Sequence, residues 1–217
     1  MIELMSWNSA GAVLEQTVMP QSYNLRQMAR EDVPEITTNL RLWYPDIVVG
    51  SESCHLSEDF YYRNTALLGQ PGEWSIFPIV VKHGDVPVGM ITYERNVDAR
   101  TITSRMGALS AEHRGSGLAL LGPILLEKIG RAMGAELAYY YATLKSRDQQ
   151  VLAERMRFTL VGIVPAFDRD MIRPGEVRRV HEAIYAKVLA GAEALAPPER
   201  ETLTRRTKAV WDVLFGI

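Results

Sequence analysis

Cys54 is the only cysteine in the chain, so no internal disulfide can form, and no group of Cys and His residues has the spacing of a structural zinc site. A chain so poor in cysteine suits a reducing compartment, and a cytoplasmic protein is expected. No apolar run approaches the ~18 residues that a membrane span needs. The N-terminus has an early Glu3, no basic lead and no sustained apolar stretch, which argues against a secretory leader. Charge of one sign is also lacking: 24 Lys and Arg are interspersed with 26 Asp and Glu, for a formal net charge of -2. Without a global field, neither nucleic acid nor an anionic membrane is an expected partner, and small molecules or a protein surface remain. Internal repeats and low-complexity tracts are absent.

What is present is enough apolar material for one sizeable core, 47% of 217 residues. Residues 1–20 read as an N-terminal extension, 21–189 as the main domain, and 190–217 as a linker followed by an amphipathic helix. Within the domain, 23–28 reads as a strand and 33–42 as a helix, capped by Asp32 with Pro34 in its first turn. Residues 44–72 are less regular, with a helix expected over 57–68. Two extended runs, 74–82 and 86–96, flank the polar turn His83-Gly84-Asp85 and predict a hairpin. A further strand, 101–109, follows the short connection 97–100.

A helix over 117–133 then carries the apolar stripe Leu118, Leu121, Leu125 and Ile129, with a kink expected at Pro123. A strand at 137–143, a helix at 148–156 and two final strands at 160–166 and 177–189 complete the domain. The Pro174-Gly175 pair favours a closing hairpin, although 177–189 also has the periodicity of a helix. In the last segment Leu203, Val210, Trp211, Leu214 and Phe215 fall on one stripe, which predicts docking on the chain's own core or a contact in a homodimer.

The most informative segment is Arg114-Gly115-Ser116-Gly117-Leu118-Ala119, which leaves a strand and opens a helix. Arg114 supplies a cation, and Gly115 and Gly117 lack the side chains that would keep an anion from the backbone N–H groups. The helix adds unpaired N–H groups and the positive end of its dipole. A pyrophosphate fits such a turn.

With its flanking strand and helices, this segment resembles the R/Q-x-x-G-x-G/A signature of the GNAT N-acetyltransferase superfamily, and the likeness extends over about 23–189. The resemblance implies an α/β (α+β) fold with a mixed, mostly antiparallel central sheet flanked by helices and splayed at an acyl-CoA site. It implies acetyl-CoA, or another acyl-CoA, as co-substrate, with no metal. Leu109 and Ala111 would contact pantetheine through their backbones, and Arg114, Gly115, Ser116, Gly117, Leu118 and Ala119 would cradle the pyrophosphate. The implied reaction is attack of an amine on the thioester, with no cysteine nucleophile, so Cys54 reads as a bystander.

Two departures from the family pattern concern the chemistry. Ala153 stands where many members have a tyrosine acid, and Thr103 where histone-type members have a catalytic glutamate. A substitute base follows from strand geometry: pairing Asn96 with Thr101 sets Glu94 opposite Thr103, and Thr92 opposite Arg105, on a shared face. Arg105, mid-strand, needs a partner, either Glu94 or an anionic group on the substrate. Tyr185 is a candidate acid or a core residue, and at most part of Tyr139-Tyr140-Tyr141 can face a ligand. His55, His113 and His181 have no metal-site spacing, and His113 reads as an exposed turn residue.

The expected activity is therefore acetyl transfer to the amine of a small molecule, an anionic one where Arg105 binds the substrate. A protein-modifying acetyltransferase, which needs an open groove, and a noncatalytic acyl-CoA-binding regulatory module are the alternatives.

Overall fold

The computed structural model describes residues 5–216, and its elements are α1 (Asn8–Glu15), β1 (Tyr23–Gln27), α2 (Val33–Trp43), α3 (Glu58–Asn64), β2 (Ile76–His83), β3 (Val86–Asn96), β4 (Thr101–Leu109), α4 (Leu121–Met133), β5 (Leu137–Thr143), α5 (Asp148–Arg155), β6 (Thr159–Arg173), β7 (Glu176–Val188) and α6 (Arg205–Phe215). The strands form one sheet in the order β1-β2-β3-β4-β5-β7-β6, antiparallel throughout except where β4 meets β5. This is the mixed, mostly antiparallel sheet expected from the sequence.

Both faces of the sheet are covered, and strand alternation decides which residue goes where. In β2, six consecutive residues from Ile76 to Val81 are buried, the pattern of a strand packed on both sides. Ile79 and Val81 join Ile91 and Tyr93 under α1 and α4, with Leu125, Leu126 and Ile129 of α4 at the centre. Val80 joins Met90, Met106 and Ala108 on the other face, under Val33, Ile36 and Leu40 of α2 and Tyr61 of α3.

Several local expectations are corrected. The helix after the glycine turn starts at Leu121, preceded by a 3₁₀ turn, Leu118–Leu120. Pro123 therefore lies in the first turn of α4, where no intrahelical N–H partner is lost, and the helix runs on to Met133 without interruption. The helix expected over 57–68 is only Glu58–Asn64. Asp32 does not cap α2 with its side chain. Its buried carboxylate instead accepts the Ala29 N–H at 2.8 Å and both terminal nitrogens of Arg26, with Lys82 Nζ 3.2 Å away.

At the N-terminus, α1 is built into the core: Met5, Ala10 and Leu14 are buried with α4, and the Met5 N–H donates to the Met133 carbonyl at 2.7 Å. At the other end, α6 lies against β6 without fully burying any of its residues. Trp211 and Phe215 contact each other, at 4.5 Å between ring centroids.

Candidate active site

The site arises where β4 and β5 part. Their parallel pairing covers only Thr101–Ser104 against Leu137–Tyr140, after which the two strands continue without each other. On its other edge β4 stays paired with β3 as far as Leu109. From Arg105 onward, one edge of β4 thus faces a gap.

A β-bulge sits at the parting point. Asn96 pairs with Thr101 and Glu94 with Thr103, as read from the sequence, but Tyr93 pairs with Ser104 and Thr92 with Met106. The expected Thr92–Arg105 pair does not form, because Arg105 is the extra residue of the bulge. Thr92 Oγ1 accepts the Met106 N–H at 3.2 Å, which satisfies a backbone group at the irregularity.

Two cavities open on either side of this gap, of about 740 and 470 Å³, within the range typical of small-molecule sites. Tyr44, Ser104, Arg105, Gly107, Tyr141 and Thr143 line both, so the cavities meet at the mouth of the V. The smaller one runs to the glycine turn and is lined there by Leu109, Arg114, Gly115, Leu118 and Ala119. Glu94 and Arg105 line the larger one. The structure thus separates the predicted residues into a turn side and a carboxylate side that share a mouth.

The turn has the backbone that its sequence requires. Gly115 and Gly117 have φ of 86° and 88°, in the left-handed region, and a Cβ at either would meet nothing within 4 Å. Among the described residues no backbone carbonyl outside helices and strands is bonded to the Gly115 or Gly117 N–H. Open space and available donors at the head of a helix are what a pyrophosphate needs, so the residues present fit the phosphate end of acetyl-CoA. Two side chains behave otherwise than expected. Arg114 is turned back, donating to the Leu109 and Trp43 carbonyls at 3.3 and 3.2 Å and lying over the Tyr44 ring. The Ser116 hydroxyl donates to the His113 carbonyl. The Leu109 N–H, on the edge facing the gap, donates to the Tyr44 hydroxyl at 3.4 Å.

Across the mouth lies a chain of alternating charge. Arg105 Nη1 is 3.3 Å from Glu94 Oε2, and its Nη2 is 3.2 Å from Glu52 Oε1. Glu52 Oε2 is 3.2 Å from His55 Nδ1, and His55 Nε2 is 3.2 Å from Thr92 Oγ1. His55 is wholly buried. Burial alone would lower its pKa, but the hydrogen bonds with Cys54 and Glu52 and the Glu52 charge raise it to about 9, so the imidazole is held charged at neutral pH. Glu52 is likewise kept below the usual carboxylate range: burial opposes ionisation, and His55 and Arg105 outweigh it. Arg105 is thus paired with two carboxylates of the chain itself, Glu52 and Glu94, the second of them the partner read from the sequence.

The rest of the larger cavity is walled by the β6–β7 hairpin. Asp168 accepts from the Ser51 N–H and hydroxyl, at 2.8 Å to Oγ, and Lys145 pairs with Asp170 at 2.6 Å. Tyr141 stacks on Phe167 at 5.4 Å between centroids. Half-buried Glu182 lies opposite Thr143 on the neighbouring strand, and among the described residues its carboxylate has no hydrogen bond or ion pair. Burial first, then the charges of Asp168, Glu52 and Asp170, raise its pKa to about 7.

Other tyrosines and histidines resolve plainly. Tyr185 belongs to the core and donates its hydroxyl proton to Glu154 at 3.0 Å, on the face away from the larger cavity, beside buried Ala153. Of the tyrosine triplet, Tyr141 reaches the mouth, and Tyr140, packed in the core, also lines the smaller cavity. His113 is partly buried rather than an exposed turn residue, with Nδ1 2.8 Å from the Tyr23 hydroxyl. Glu52, Cys54 and His55 lie close enough together to hold a metal ion, a grouping the spacing did not announce. No helix among the described residues is long and apolar enough to cross a membrane.

Glu52, Asp168 and Glu182 were not singled out from the sequence. Glu182 had a signal: it is a lone acid in the strand Val180-His181-Glu182-Ala183-Ile184-Tyr185, at the parity opposite core Tyr185. Glu52 and His55 lie in a 3₁₀ segment, Ser51–Leu56, whose sequence has no periodicity to place them.

No family model and no curated protein matches the chain. Solved structures do. A spermidine N-acetyltransferase SpeG mutant from Vibrio cholerae superposes with a TM-score of 0.61 at 16% identity, over 78% of this chain and 95% of that one. The chain has the GNAT fold. RimL, an alpha-N-protein acetyltransferase, matches with a TM-score of 0.55 at 12% identity over 79% of this chain and 96% of its own. The IAA acetyltransferase from Bacillus cereus matches with 0.52 at 16% identity, over 77% and 100%. Within the GNAT fold the parted strands and the glycine turn are where the resemblance placed the acyl-CoA site.

Proposed function

We propose that the chain is an acetyl-CoA-dependent N-acetyltransferase whose acceptor is a small cationic amine. Two of the GNAT-fold neighbours are N-acetyltransferases by name and the third is an acetyltransferase, which supports the reaction class. The observation that carries the acceptor's charge is the larger cavity, lined by Asp46, Glu52, Glu94, Asp168, Asp170 and Glu182 against Arg105, Arg114, Lys145 and Arg169. Arg105 and Lys145 are already paired with acids of the wall, and Arg114 is folded onto carbonyls and a ring. On this lining six carboxylates face four cations, and that excess of acid favours a cationic acceptor over the anionic one anticipated from Arg105.

In this reading Leu109 and the 114–119 turn hold acetyl-CoA along the smaller cavity, and Ala111 lies just beyond the strand end. When bound, acetyl-CoA supplies an activated acetyl group as a thioester. The chain orients the acceptor: an ammonium group enters between the α2 side and the β6–β7 hairpin, where paired carboxylates and the Tyr141–Phe167 stack supply charge and an aromatic face. Glu94 lies at the mouth beside Thr103, where the sequence reading put a base, but its carboxylate is engaged by Arg105. Walls on two sides favour a small molecule over an extended polypeptide. A homodimer would use the stripe of α6, on which Val210 and Phe215 are exposed.

Thiol release from acetyl-CoA, measured against a panel of cationic, neutral and anionic primary amines, tests this. Acceptor-dependent release that favours diamines over amino acids supports the reading. Tight acetyl-CoA binding with no release for any amine supports the noncatalytic module.

A further inference from the structure

We propose that Glu182 takes the proton from the acceptor's ammonium group, so that the base read from the sequence at Glu94 on β3 is replaced by one on β7; this rests on the N-acetyltransferase reading above. Of the carboxylates that line the larger cavity, the others are spoken for or lie open to solvent. Glu94 and Glu52 bind Arg105, Asp168 binds the Ser51 backbone and hydroxyl, Asp170 binds Lys145, and Asp46 is exposed. Glu182 alone is half-buried with no partner. An unpaired acid in such a place costs stability unless something in the cavity repays it.

Its position fits the task. Glu182 lies opposite Thr143, and Ile184 opposite Tyr141, so alternation puts Glu182 on the same face of the sheet as Tyr141. Thr143 and Tyr141 both line the mouth where the two cavities meet. A group there faces the acceptor side while remaining next to the gap that receives the thioester.

The charges around it set its proton affinity. From β6 come Asp168 and Asp170, the second paired with Lys145, together with exposed Arg169; from the 3₁₀ segment comes Glu52, backed by His55 and Arg105; from β5 comes the neutral Tyr141. On its own strand, His181 is engaged with the Ala166 N–H. The surplus of acids and the burial hold Glu182 near neutrality, where a base is most effective at physiological pH.

The step balances without another reactant. One ammonium proton passes to the Glu182 carboxylate, and the freed amine pair forms the C–N bond to the thioester carbonyl carbon. The C–S bond breaks, a second amine proton goes to the departing thiolate, and protonated Glu182 returns its proton to water.

The test is the pH dependence of kcat and KM for acetyl transfer, with a diamine acceptor, in the wild type, Glu182→Gln and Asp168→Asn, together with a ¹³C NMR titration of the glutamate carboxyls. We expect a wild-type rising limb near pH 7, a kcat lower by about 100-fold in Glu182→Gln with that limb gone, and a limb moved to lower pH in Asp168→Asn. The NMR signal that titrates near pH 7 should vanish in Glu182→Gln. A Glu182→Gln enzyme that loses only KM, or keeps its profile, overturns the inference and leaves the function standing. Should Glu182→Gln fail to fold, an unmoved limb in Asp168→Asn overturns it equally. No turnover by the wild type overturns both.

Discussion

His55 offers a quantitative test of the charge chain behind the site. Its side chain is wholly buried, yet its pKa is raised from the ordinary 6.5 to about 9. Burial acts against the charged form, so the raise comes from the hydrogen bonds with Cys54 and Glu52 and from the Glu52 charge. A shift of this size corresponds to about 3 kcal/mol of folding stability. Because the folded-state value lies above the unfolded one, that stability is fully present below pH 6.5, falls between 6.5 and 9, and is gone above 9. Urea unfolding of the wild type and of His55→Gln at pH 6, 7.5 and 9.5 reads it directly. Glu182 contributes its own pH dependence, but mostly below pH 7, and the difference between the two proteins removes it. The variant should be about 3 kcal/mol less stable than the wild type at pH 6, and the gap should close by most of that amount at pH 9.5. An equal gap at all three values would mean that His55 is buried neutral and that Glu52 is held by Arg105 alone.

Three further outcomes are expected. Gly117→Ala places an L residue at φ 88° with no steric clash, so the backbone should cost roughly 1–2 kcal/mol and acetyl-CoA affinity should fall by about tenfold in calorimetry; unchanged affinity in a folded variant would remove the turn from the binding site. Thr92→Val leaves the Met106 N–H and His55 Nε2 without their acceptor, and melting should report a loss of about 1–3 kcal/mol or more. Asp32→Asn breaks a buried charge cluster that joins Arg26 and Lys82, and a loss of about 3–5 kcal/mol in urea unfolding is expected; less than 1 kcal/mol would mean that the two cations reach water without it.

Much of this was legible in the sequence, for identifiable reasons. The hairpins announced themselves through apolar runs broken by Gly84 and Gly175, and the connection from Val97 to Arg100 is short enough to fix Glu94 opposite Thr103. The glycine turn was legible because only glycine occupies two left-handed positions without strain. What failed was non-local. The bulge that frees Arg105 depends on the Thr92 side chain reaching across to Met106, and pairing arithmetic on one connection cannot see it. Of the two carboxylates on Arg105, Glu94 was anticipated, whereas Glu52 comes from a segment without periodicity. The sign of the acceptor cavity therefore emerged only when β6, β7 and the 3₁₀ segment were brought together. Likewise the stripe on α6 has the pattern of a buried face, yet it lies against β6 with Trp211 and Leu214 only partly covered.

The central claim is that acetyl-CoA enters between β4 and β5 and presents its thioester to a carboxylate-lined cavity. A crystal structure with acetyl-CoA tests it most directly. The account predicts the pyrophosphate at the Gly115–Gly117 turn, the pantetheine along the edge of β4 from Arg105 to Leu109, and the acetyl group at the mouth bounded by Ser104 and Tyr141. Acetyl-CoA bound elsewhere, or with its acetyl group turned away from the Glu182 side, would contradict it.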